Sequence, residues 1–279
     1  MSQTERPVTT LRQWRSAKTA QERLRTHARD AVIFGRSLNA RIPLDRNWLR
    51  FPYYHHVFDD ERAGFAKHLR TMRNAGEIIS LDDATKLIES EDPIDGRYFC
   101  ITFDDGFQNC LSNAVPILVD HGATAAFFLP TKFIGAKPDK DRDVVLGFYE
   151  RGNLMMEFLD WDGCREMLRA GMTIGSHTVS HPRLLELSAT EVERELAESK
   201  SEIERQLGIT CEHFCCPTGR PGLDFQIDRE PEIARRLGYR TFLTTQRGSV
   251  DRTSRPFLVE RDRMIAGWGV YQFRYFFSR

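Results

Sequence analysis

From about residue 48 onward, short and mostly apolar runs alternate with segments of helical periodicity. The apolar runs have strand length: YFCITF (98–103), TAAFFL (124–129), MTIGS (172–176), HFCC (213–216), YRTFLTT (239–245) and FLVE (257–260). Strands that read as continuous apolar runs between helices are typical of parallel sheets covered on both faces. The pattern therefore predicts an α/β fold whose parallel sheet is either open or closed into a barrel.

The clearest predicted helix covers residues 189 to 207. Ser188 and Glu191 have the spacing of a capping box, and the helix is predicted to end at Gly208. One face of this segment is mostly apolar and comprises Val192, Leu196, Ser199, Ile203 and Leu207. The opposite face consists of Glu and Arg, so we expect it to face solvent.

The chain before residue 48 has a different character. Residues 1–50 contain eleven Lys or Arg against four Asp or Glu, a net charge of +7, and the remaining residues carry −7. The stretch from Leu11 to Phe34 is compatible with one helix, loosely apolar on one side and rich in arginine. We therefore predict a basic, helical extension over residues 1–47 and a catalytic domain over 48–279.

Two interpretations of this basic extension stay open. It is either a solvated helix packed on the outside of the domain or a surface helix that contacts anionic lipid or a partner protein. If the surface-helix interpretation is right, deletion of residues 1 to 40 should leave activity intact and reduce binding to anionic vesicles.

Composition excludes several classes of protein. The whole chain balances 40 Lys plus Arg against 40 Asp plus Glu, which disfavours a nucleic-acid partner. The N-terminus lacks the apolar core of a secretory signal, and no apolar run reaches membrane-spanning length. The six cysteines lack the spacing of a zinc ribbon or a disulfide framework. We expect a cytoplasmic protein, with peripheral contact at the inner membrane face as the variant that the basic segment allows.

The candidate chemistry follows the predicted strands. Asp104 and Asp105 come directly after YFCITF, and His177 and His181 come directly after MTIGS. Two adjacent buried carboxylates are costly without a neighbouring positive charge. Two histidines and one carboxylate form a typical three-ligand site for a divalent ion of zinc type. The second carboxylate is then free to act as a general base.

Three ordered motifs resemble those of the polysaccharide deacetylases of carbohydrate esterase family 4. They are TFDDG (102–106), HTVSH (177–181) and FCCPTG (214–219), and the resemblance covers roughly residues 50 to 265. It implies a distorted (β/α) barrel with fewer than eight strands. The implied reaction is hydrolysis of an N-acetyl group on an amino sugar.

The resemblance also implies a role for each motif residue. Asp105, His177 and His181 correspond to the metal ligands of the family, and Asp104 corresponds to its catalytic base. The backbone N–H of Thr218, which follows the proline of the third motif, corresponds to the donor to the oxyanion. Zinc is the expected ion, with cobalt or nickel as alternatives.

Two departures from the common pattern point to one branch of the family. Cys215 stands where many members have an arginine that pairs with the catalytic acid, and no histidine follows His213 to supply the general acid. In the circularly permuted branch, which includes poly-N-acetylglucosamine deacetylases, a C-terminal segment like RPFLVERDRM carries the arginine, here Arg261. A histidine near the start acts as the acid in that branch, and the pattern selects His55. Since adjacent residues of a regular strand face opposite sides, we expect His55 and its neighbour His56 to point apart.

Two further segments have simple interpretations. The stretch from Gly135 to Leu154 is polar and is predicted to be an excursion between the repeating units. Cys211, His213, Cys215 and Cys216 are close enough in sequence to suggest a second metal site, but a buried strand with small side chains is the favoured interpretation.

The sequence thus predicts a metal-dependent deacetylase acting on an N-acetylated carbohydrate, whether polysaccharide, oligosaccharide or sugar precursor. The alternative from another class is a catalytically impaired protein that binds carbohydrate or assists polysaccharide assembly on the same fold. The lost arginine and the lost C-terminal histidine motivate that alternative. The intact TFDDG and HTVSH motifs favour the enzyme.

Overall fold

The computed structural model describes residues 6–17, 19–90, 92–149, 154–250 and 257–278, so residues 1–5 and 18 of the predicted extension lie outside it. The helices are α1 Leu11–Ser16, α2 Ala20–Ser37, α3 Arg62–Ala75, α4 Leu81–Glu89, α5 Val115–Asp120, α6 Arg142–Leu146, α7 Trp161–Arg169, α8 Ala189–Leu207, α9 Glu230–Arg236 and α10 Val270–Phe277. The strands are β1 Trp48–Arg50, β2 Pro52–Tyr54, β3 Glu77–Ile78, β4 Arg97–Phe99, β5 Thr102–Phe103, β6 Ala126–Leu129, β7 Thr173–Ser176, β8 His213–Cys215, β9 Thr241–Leu243, β10 Leu258–Val259 and β11 Asp262–Arg263.

The main sheet is parallel throughout and curls into a barrel. Its eight strand segments follow the order β10-β9-β8-β7-β6-β5-β2-β11. The two edge segments, β10 and β11, are two pieces of one stretch of chain, so seven described stretches build the sheet. Because only Glu260 and Arg261 separate those pieces, the two edges must lie side by side. The predicted distorted (β/α) barrel with fewer than eight strands is confirmed.

The run YFCITF, predicted as one strand, is divided between two sheets. Its first half is β4, which lies between β1 and β3 in a small parallel sheet, and its second half is β5 in the barrel. The change occurs at Cys100, whose N–H donates to the Arg50 carbonyl at 2.9 Å. The neighbouring stretch from β1 to β2 changes sheets at Phe51. The residues before and after the point of change are buried in one sheet or the other. Both halves of the run are therefore apolar, and the sequence pattern does not show where the chain passes between sheets.

Apolar side chains occupy both faces of the barrel strands. Along β6, Phe127 and Leu129 belong to the larger cluster beneath the helices, whereas Ala126 and Phe128 belong to a second, smaller cluster that includes residues of α4. This alternation follows from the two-residue period of a strand. It explains why the strand runs are apolar at every position.

Helix α8 begins and ends where the sequence predicts. Ser188 and Glu191 form the capping box, and Gly208 ends the helix in the left-handed region with φ 67°. That backbone conformation favours glycine.

The N-terminal segment forms two helices, so the predicted single helix from Leu11 to Phe34 is wrong. Thr19 has an extended backbone and its side chain accepts from the Glu22 N–H, which starts α2 with its own capping box. The segment is also fixed to the rest of the protein. Val8 is buried and its N–H donates to the Met155 carbonyl at 2.9 Å, and α2 packs against α10. Of the helices described, none has both the length and the apolar character needed to cross a bilayer.

Candidate active site

The acid pair lies at the C-terminal end of β5, where active sites of β/α barrels are built. Asp104 and Asp105 are both buried. Asp105 adopts φ 75°, which turns the backbone between the two residues and gives each carboxylate different partners. Gly106 follows with φ 64°, and a Cβ there would lie 2.9 Å from Ile134 Cδ1, so this position requires glycine.

The two histidines reach Asp105 from the end of β7. His177 Nε2 and His181 Nε2 each lie 3.4 Å from Asp105 Oδ1. His177 Nδ1 lies 2.7 Å from the Cys215 carbonyl, which can only accept. In the neutral ring, Nδ1 therefore carries the hydrogen and Nε2 presents its lone pair to the Asp105 side.

Left-handed backbone is concentrated at this site. In the described part of the chain, the non-glycine residues with positive φ are Asp105, Thr178, His181 and Thr218. Each lies in one of the three sequence motifs. Such backbone costs free energy and persists where surrounding contacts enforce it, as is common at functional sites.

A carboxylate from α8 supports the histidine loop. Glu195 is buried and accepts from the Val179 N–H at 2.8 Å, from the Ser180 N–H at 2.9 Å and from the Ser180 hydroxyl at 2.7 Å. The sequence analysis missed this residue and assigned the charged positions of α8 to solvent. One feature of the sequence could have indicated this role: Glu195 is an acidic residue next to the apolar face of α8, three residues after Val192.

Asp104 forms a bidentate ion pair with Arg261. Arg261 Nη1 lies 2.8 Å from Asp104 Oδ1, and Nη2 lies 2.8 Å from Oδ2. The guanidinium is fully buried, lies over the Tyr53 ring and comes from the stretch that joins β10 to β11. Burial alone would raise the pKa of Asp104, but the adjacent guanidinium more than offsets this and the pKa is lowered. Asp104 is therefore held as a carboxylate.

Cys215 lies beside this ion pair. Its Sγ is 3.0 Å from Arg261 Nη2 and 3.5 Å from Asp104 Oδ1. The position that carries an arginine in many members of the resembled family is thus filled here by a small thiol. Arg261 brings the positive charge to Asp104 from another part of the chain.

Both His55 and His56 line the cleft. The expectation that they point apart applied to a regular strand, but strand β2 ends at Tyr54, so the alternation of side chains does not extend to the two histidines. The surroundings of the two rings differ. His56 stacks on Phe107 and its nitrogens lie 3.3 Å from the Asn109 amide and 3.4 Å from the Tyr149 hydroxyl.

His55 is the less constrained of the two rings. In the described residues its ring has no hydrogen-bond partner, and it lies near the charges of Asp104 and Asp105. Burial lowers the pKa of His55 and the two carboxylates oppose that effect. Burial lowers the pKa of His56 to about 3. His55 is therefore the histidine with a nitrogen available to a bound molecule.

Thr218 lies on the opposite wall, after β8. Its side chain donates to the Pro217 carbonyl at 2.7 Å, and its own carbonyl accepts from the Thr245 hydroxyl. With φ 57°, its backbone N–H has no acceptor within the described residues. An N–H in this position is available to a ligand oxygen.

These groups share one cleft of about 890 Å³. Its walls also include Phe148 and Tyr149, which come from the stretch 135–154 predicted as a polar excursion; residues 150–153 of that stretch lie outside the described chain. The Phe148 ring lies 4.9 Å from the His181 ring. The sequence analysis missed both aromatic residues because the polar residues around them dominated the pattern.

Helix α1 forms another part of the cleft wall. Leu11 and Trp14 line the cleft, and the carboxylate of Asp60 accepts from the Leu11 N–H at 2.8 Å and the Arg12 N–H at 3.3 Å. Part of the N-terminal extension thus contributes to the cleft. Deletion of residues 1 to 40 would remove the Leu11 and Trp14 side chains from its wall.

The donor set fits a divalent metal ion. Asp105, His177 and His181 each offer one ligand atom, and those atoms lie within 4.8 Å of one another. Two imidazole nitrogens and one carboxylate oxygen leave open positions on an ion of zinc type, as hydrolytic metal sites require. The Nδ1 hydrogen bond of His177 supplies the outer contact that such ligands usually make.

The cysteine-rich stretch 211–216 is buried. Cys211 and Cys216 belong to the larger apolar cluster and Cys215 to the smaller one. Burial raises the pKa of the Cys211 thiol to about 12 and that of Cys216 well above its usual value. Neutral thiols in apolar surroundings favour the interpretation of a packed strand.

Fold and site together define a parallel β/α barrel with a candidate metal centre at the C-terminal ends of its strands. A family model described as polysaccharide deacetylase matches residues 92–242, more than half of the chain. The chain belongs to the polysaccharide deacetylase family, as its motifs predicted.

Individual relatives agree with this assignment. YxkH of Bacillus subtilis is 24% identical over 204 residues, which are 73% of this chain and 64% of that protein, so this chain spans less than two thirds of that relative. The solved structure of the deacetylase PplD of Streptococcus pyogenes in complex with acetate has a TM-score of 0.66 at 21% identity and covers 83% of this chain and 99% of that one. IcaB of Ammonifex degensii has a TM-score of 0.69 at 21% identity, with 84% and 98% covered. At this identity the structural matches show the shared fold.

Proposed function

We propose that the protein is a metal-dependent hydrolase that removes N-acetyl groups from an N-acetylated carbohydrate. One observation carries the proposal. Three metal-type donors, Asp105, His177 and His181, converge in the same cleft as an ion-paired carboxylate, Asp104. Amide hydrolysis needs a polarised carbonyl, an activated water and a proton for the leaving amine, and this cleft holds a group for each need.

The metal would be held by Asp105, His177 and His181, with zinc as the expected ion. When bound, a zinc-type ion would polarise the acetyl carbonyl and lower the pKa of the attacking water. Asp104 would accept the proton of that water. Arg261 keeps Asp104 ionised and fixes its orientation through two hydrogen bonds.

The remaining steps would use opposite walls of the cleft. The Thr218 N–H would donate to the oxygen that gains negative charge as the carbonyl is attacked. His55 would donate a proton to the departing nitrogen, because its ring has no hydrogen-bond partner among the described residues. An N-acetyl group of a sugar is a substrate that needs both donors.

The test is mass spectrometry of N-acetylglucosamine oligosaccharides incubated with zinc-loaded protein, with parallel measurement of released acetate. We expect products that lack one or more acetyl groups. Asp104→Asn should lower the rate by about 10² or more while the protein still binds zinc. Retained oligosaccharide binding with no acetate release by the wild type would instead support the binding protein that the sequence left as an alternative.

The metal itself can be tested independently of activity. Purified protein should bind about one zinc ion per chain, measured by elemental analysis after dialysis. His177→Ala should lose that ion, whereas His121→Ala, at a half-buried histidine that belongs to none of the clusters of possible metal ligands in the described residues, should keep it. Full zinc content in the double variant His177→Ala/His181→Ala would contradict the proposed ligands.

A further inference from the structure

Helix α2 presents an apolar face to solvent. Its buried residues are Ile33 and Ser37. At about 100° per residue, Leu24 lies opposite Ile33 on the helix, and its neighbours on that outer face are Ala28, Ala31, Gly35 and Leu38. The exposed fractions of Leu24 and Leu38 are 70% and 65%, and those of Val32 and Phe34 at the margins are 56% and 53%. These residues are called the outer face of α2 below.

The inner side of α2 is already used for packing. Ile33 is buried and α2 packs against α10. Phe34, at the margin between the two sides, also makes an edge contact with the Tyr271 ring at 5.4 Å. The outer face is therefore the part of a fixed helix that remains exposed in the described structure. A contiguous apolar surface of this kind on a soluble domain marks an interaction site.

Arginines border the outer face on both sides. Arg23 flanks it on one side, Arg25 and Arg36 flank it on the other, and all three are exposed. They belong to the N-terminal fifty residues, whose net charge is +7, whereas the rest of the chain carries −7. The molecule therefore has a basic end, and the apolar face lies within it.

We propose that the outer face of α2 docks the protein on an anionic lipid surface. Leu24 and Leu38 would enter the boundary between headgroups and acyl chains, and the flanking arginines would meet lipid phosphates. An apolar stripe with basic borders is the pattern by which interfacial helices bind anionic membranes. A symmetric dimer through the same face would bring the arginines of two copies together, and like charges disfavour that occupant.

Vesicle flotation with the full chain tests the proposal. The docking does not rest on the proposed hydrolysis, because it can be measured without a substrate. Vesicles of phosphatidylcholine alone are compared with vesicles containing about 30% phosphatidylglycerol. We expect binding to the anionic vesicles, weakened by raised salt, and little binding to the neutral ones. Leu24→Asp/Leu38→Asp should reduce the partition coefficient about tenfold or more, because it places two charges on the face that enters the lipid.

A matched control variant is Val119→Asp/Leu223→Asp. These two side chains are 52% and 58% exposed and lie outside the N-terminal segment. The control should bind anionic vesicles as the wild type does. Arg23→Gln/Arg25→Gln leaves the apolar residues intact and should also weaken binding, so the proposal can be tested even if the aspartate variant fails to fold.

Several outcomes would overturn the proposal. One is that the wild-type protein does not bind anionic vesicles. Another is that the control variant Val119→Asp/Leu223→Asp loses as much binding as Leu24→Asp/Leu38→Asp. Sedimentation velocity supplies a third. If the wild type is a dimer that does not bind vesicles and Leu24→Asp/Leu38→Asp is a monomer, the outer face of α2 joins two copies of the chain instead.

Discussion

At the scale of single residues, the structure explains how the site keeps an acid pair buried. Asp104 and Asp105 are adjacent, but the left-handed turn at Asp105 directs one carboxylate to Arg261 and the other to the two histidines. Asp104 therefore has the Arg261 guanidinium as its compensating partner, whereas Asp105 faces the two imidazoles with which it would share a metal ion. Neighbouring acids with separate partners can hold separate roles, one as a base and one as a ligand.

Loss of Arg261 should affect both stability and catalysis. Arg261→Met leaves Asp104 as a buried carboxylate without its partner, which should destabilise the fold by about 3–5 kcal/mol and lower kcat by about 10² or more. Arg50→Met is the matched control, since Arg50 pairs with the buried Asp262 at 2.9 Å outside the cleft. It should destabilise the protein and leave kcat within a few fold. Urea unfolding measures the loss of stability of each variant, and kcat is measured well below the melting temperature, where both variants are folded. Equal losses of kcat in Arg261→Met and Arg50→Met would contradict the role of Arg261.

Substitution of the two neighbouring histidines should have different effects on kcat. His55→Ala should keep its metal and lose about 10² to 10⁴ in kcat, the range that general acid catalysis supplies. His56→Ala removes a ring stacked on Phe107 and should lower the melting temperature more than it lowers kcat. Metal content, kcat and thermal unfolding of both variants test this. A large loss of kcat in His56→Ala alone would mean that the acid is the other neighbour.

At the scale of secondary-structure elements, α1 contributes to the cleft wall in a way that the sequence did not predict. This six-residue helix is held at its N-terminus by Asp60 and places Leu11 and Trp14 in the cleft wall. An indole beside a sugar-sized cleft is a suitable surface for the apolar face of a sugar ring. Helix α1 is therefore expected to contribute to the binding of substrate and not to the chemical step.

Truncation of Trp14 should change substrate binding. Trp14→Ala should raise KM for an acetylated oligosaccharide about two- to tenfold, which corresponds to the loss of one aromatic contact. Hydrolysis of a small aryl acetate, which has no sugar ring to stack on the indole, should be unchanged. Trp161→Ala, a half-buried tryptophan outside the cleft, is the control. An equal effect of Trp14→Ala on both substrates would show that α1 supports the fold and not substrate binding.

At the scale of the whole molecule, Glu61 links the start of α3 to the C-terminal part of the chain. Its carboxylate accepts from the Phe58 N–H at 3.2 Å and from the Gly267 N–H at 2.8 Å, and it is buried near the cleft. Burial raises the pKa of Glu61 to about 7, although the two N–H donors oppose this. The folded protein therefore holds a proton here that the unfolded chain would release above its ordinary pKa.

Stability should consequently depend on pH through Glu61. Because its folded pKa is raised, the free energy of unfolding should fall as pH rises from about 4.5 to about 7, by up to about 3 kcal/mol. Glu61→Gln removes this titration, so its stability relative to the wild type should increase across that range. Glu166→Gln, at an exposed glutamate, is the control. Urea unfolding at several pH values tests this, and parallel curves for wild type and Glu61→Gln would contradict it.

Much of the fold followed from local sequence pattern. The strand runs after residue 90 and helix α8 with both of its caps were predicted close to where the structure has them. Periodicity and capping are encoded in neighbouring residues, so they can be recognised without knowledge of the fold. The break between α1 and α2 was missed, although Thr19 and Glu22 carry the capping signal, because the arginine-rich pattern was interpreted as continuous.

The sequence by itself determined the family, the motif residues and their order, because Asp104, Asp105, His177 and His181 follow directly on apolar runs. The family resemblance also assigned Arg261 to the arginine position. Tertiary structure alone decided two further contributions to the site: the Glu195 support of the histidine loop and the placement of Trp14 in the cleft, which depend on contacts between different elements. Such contacts are set by how the elements pack, and no short stretch of sequence records them.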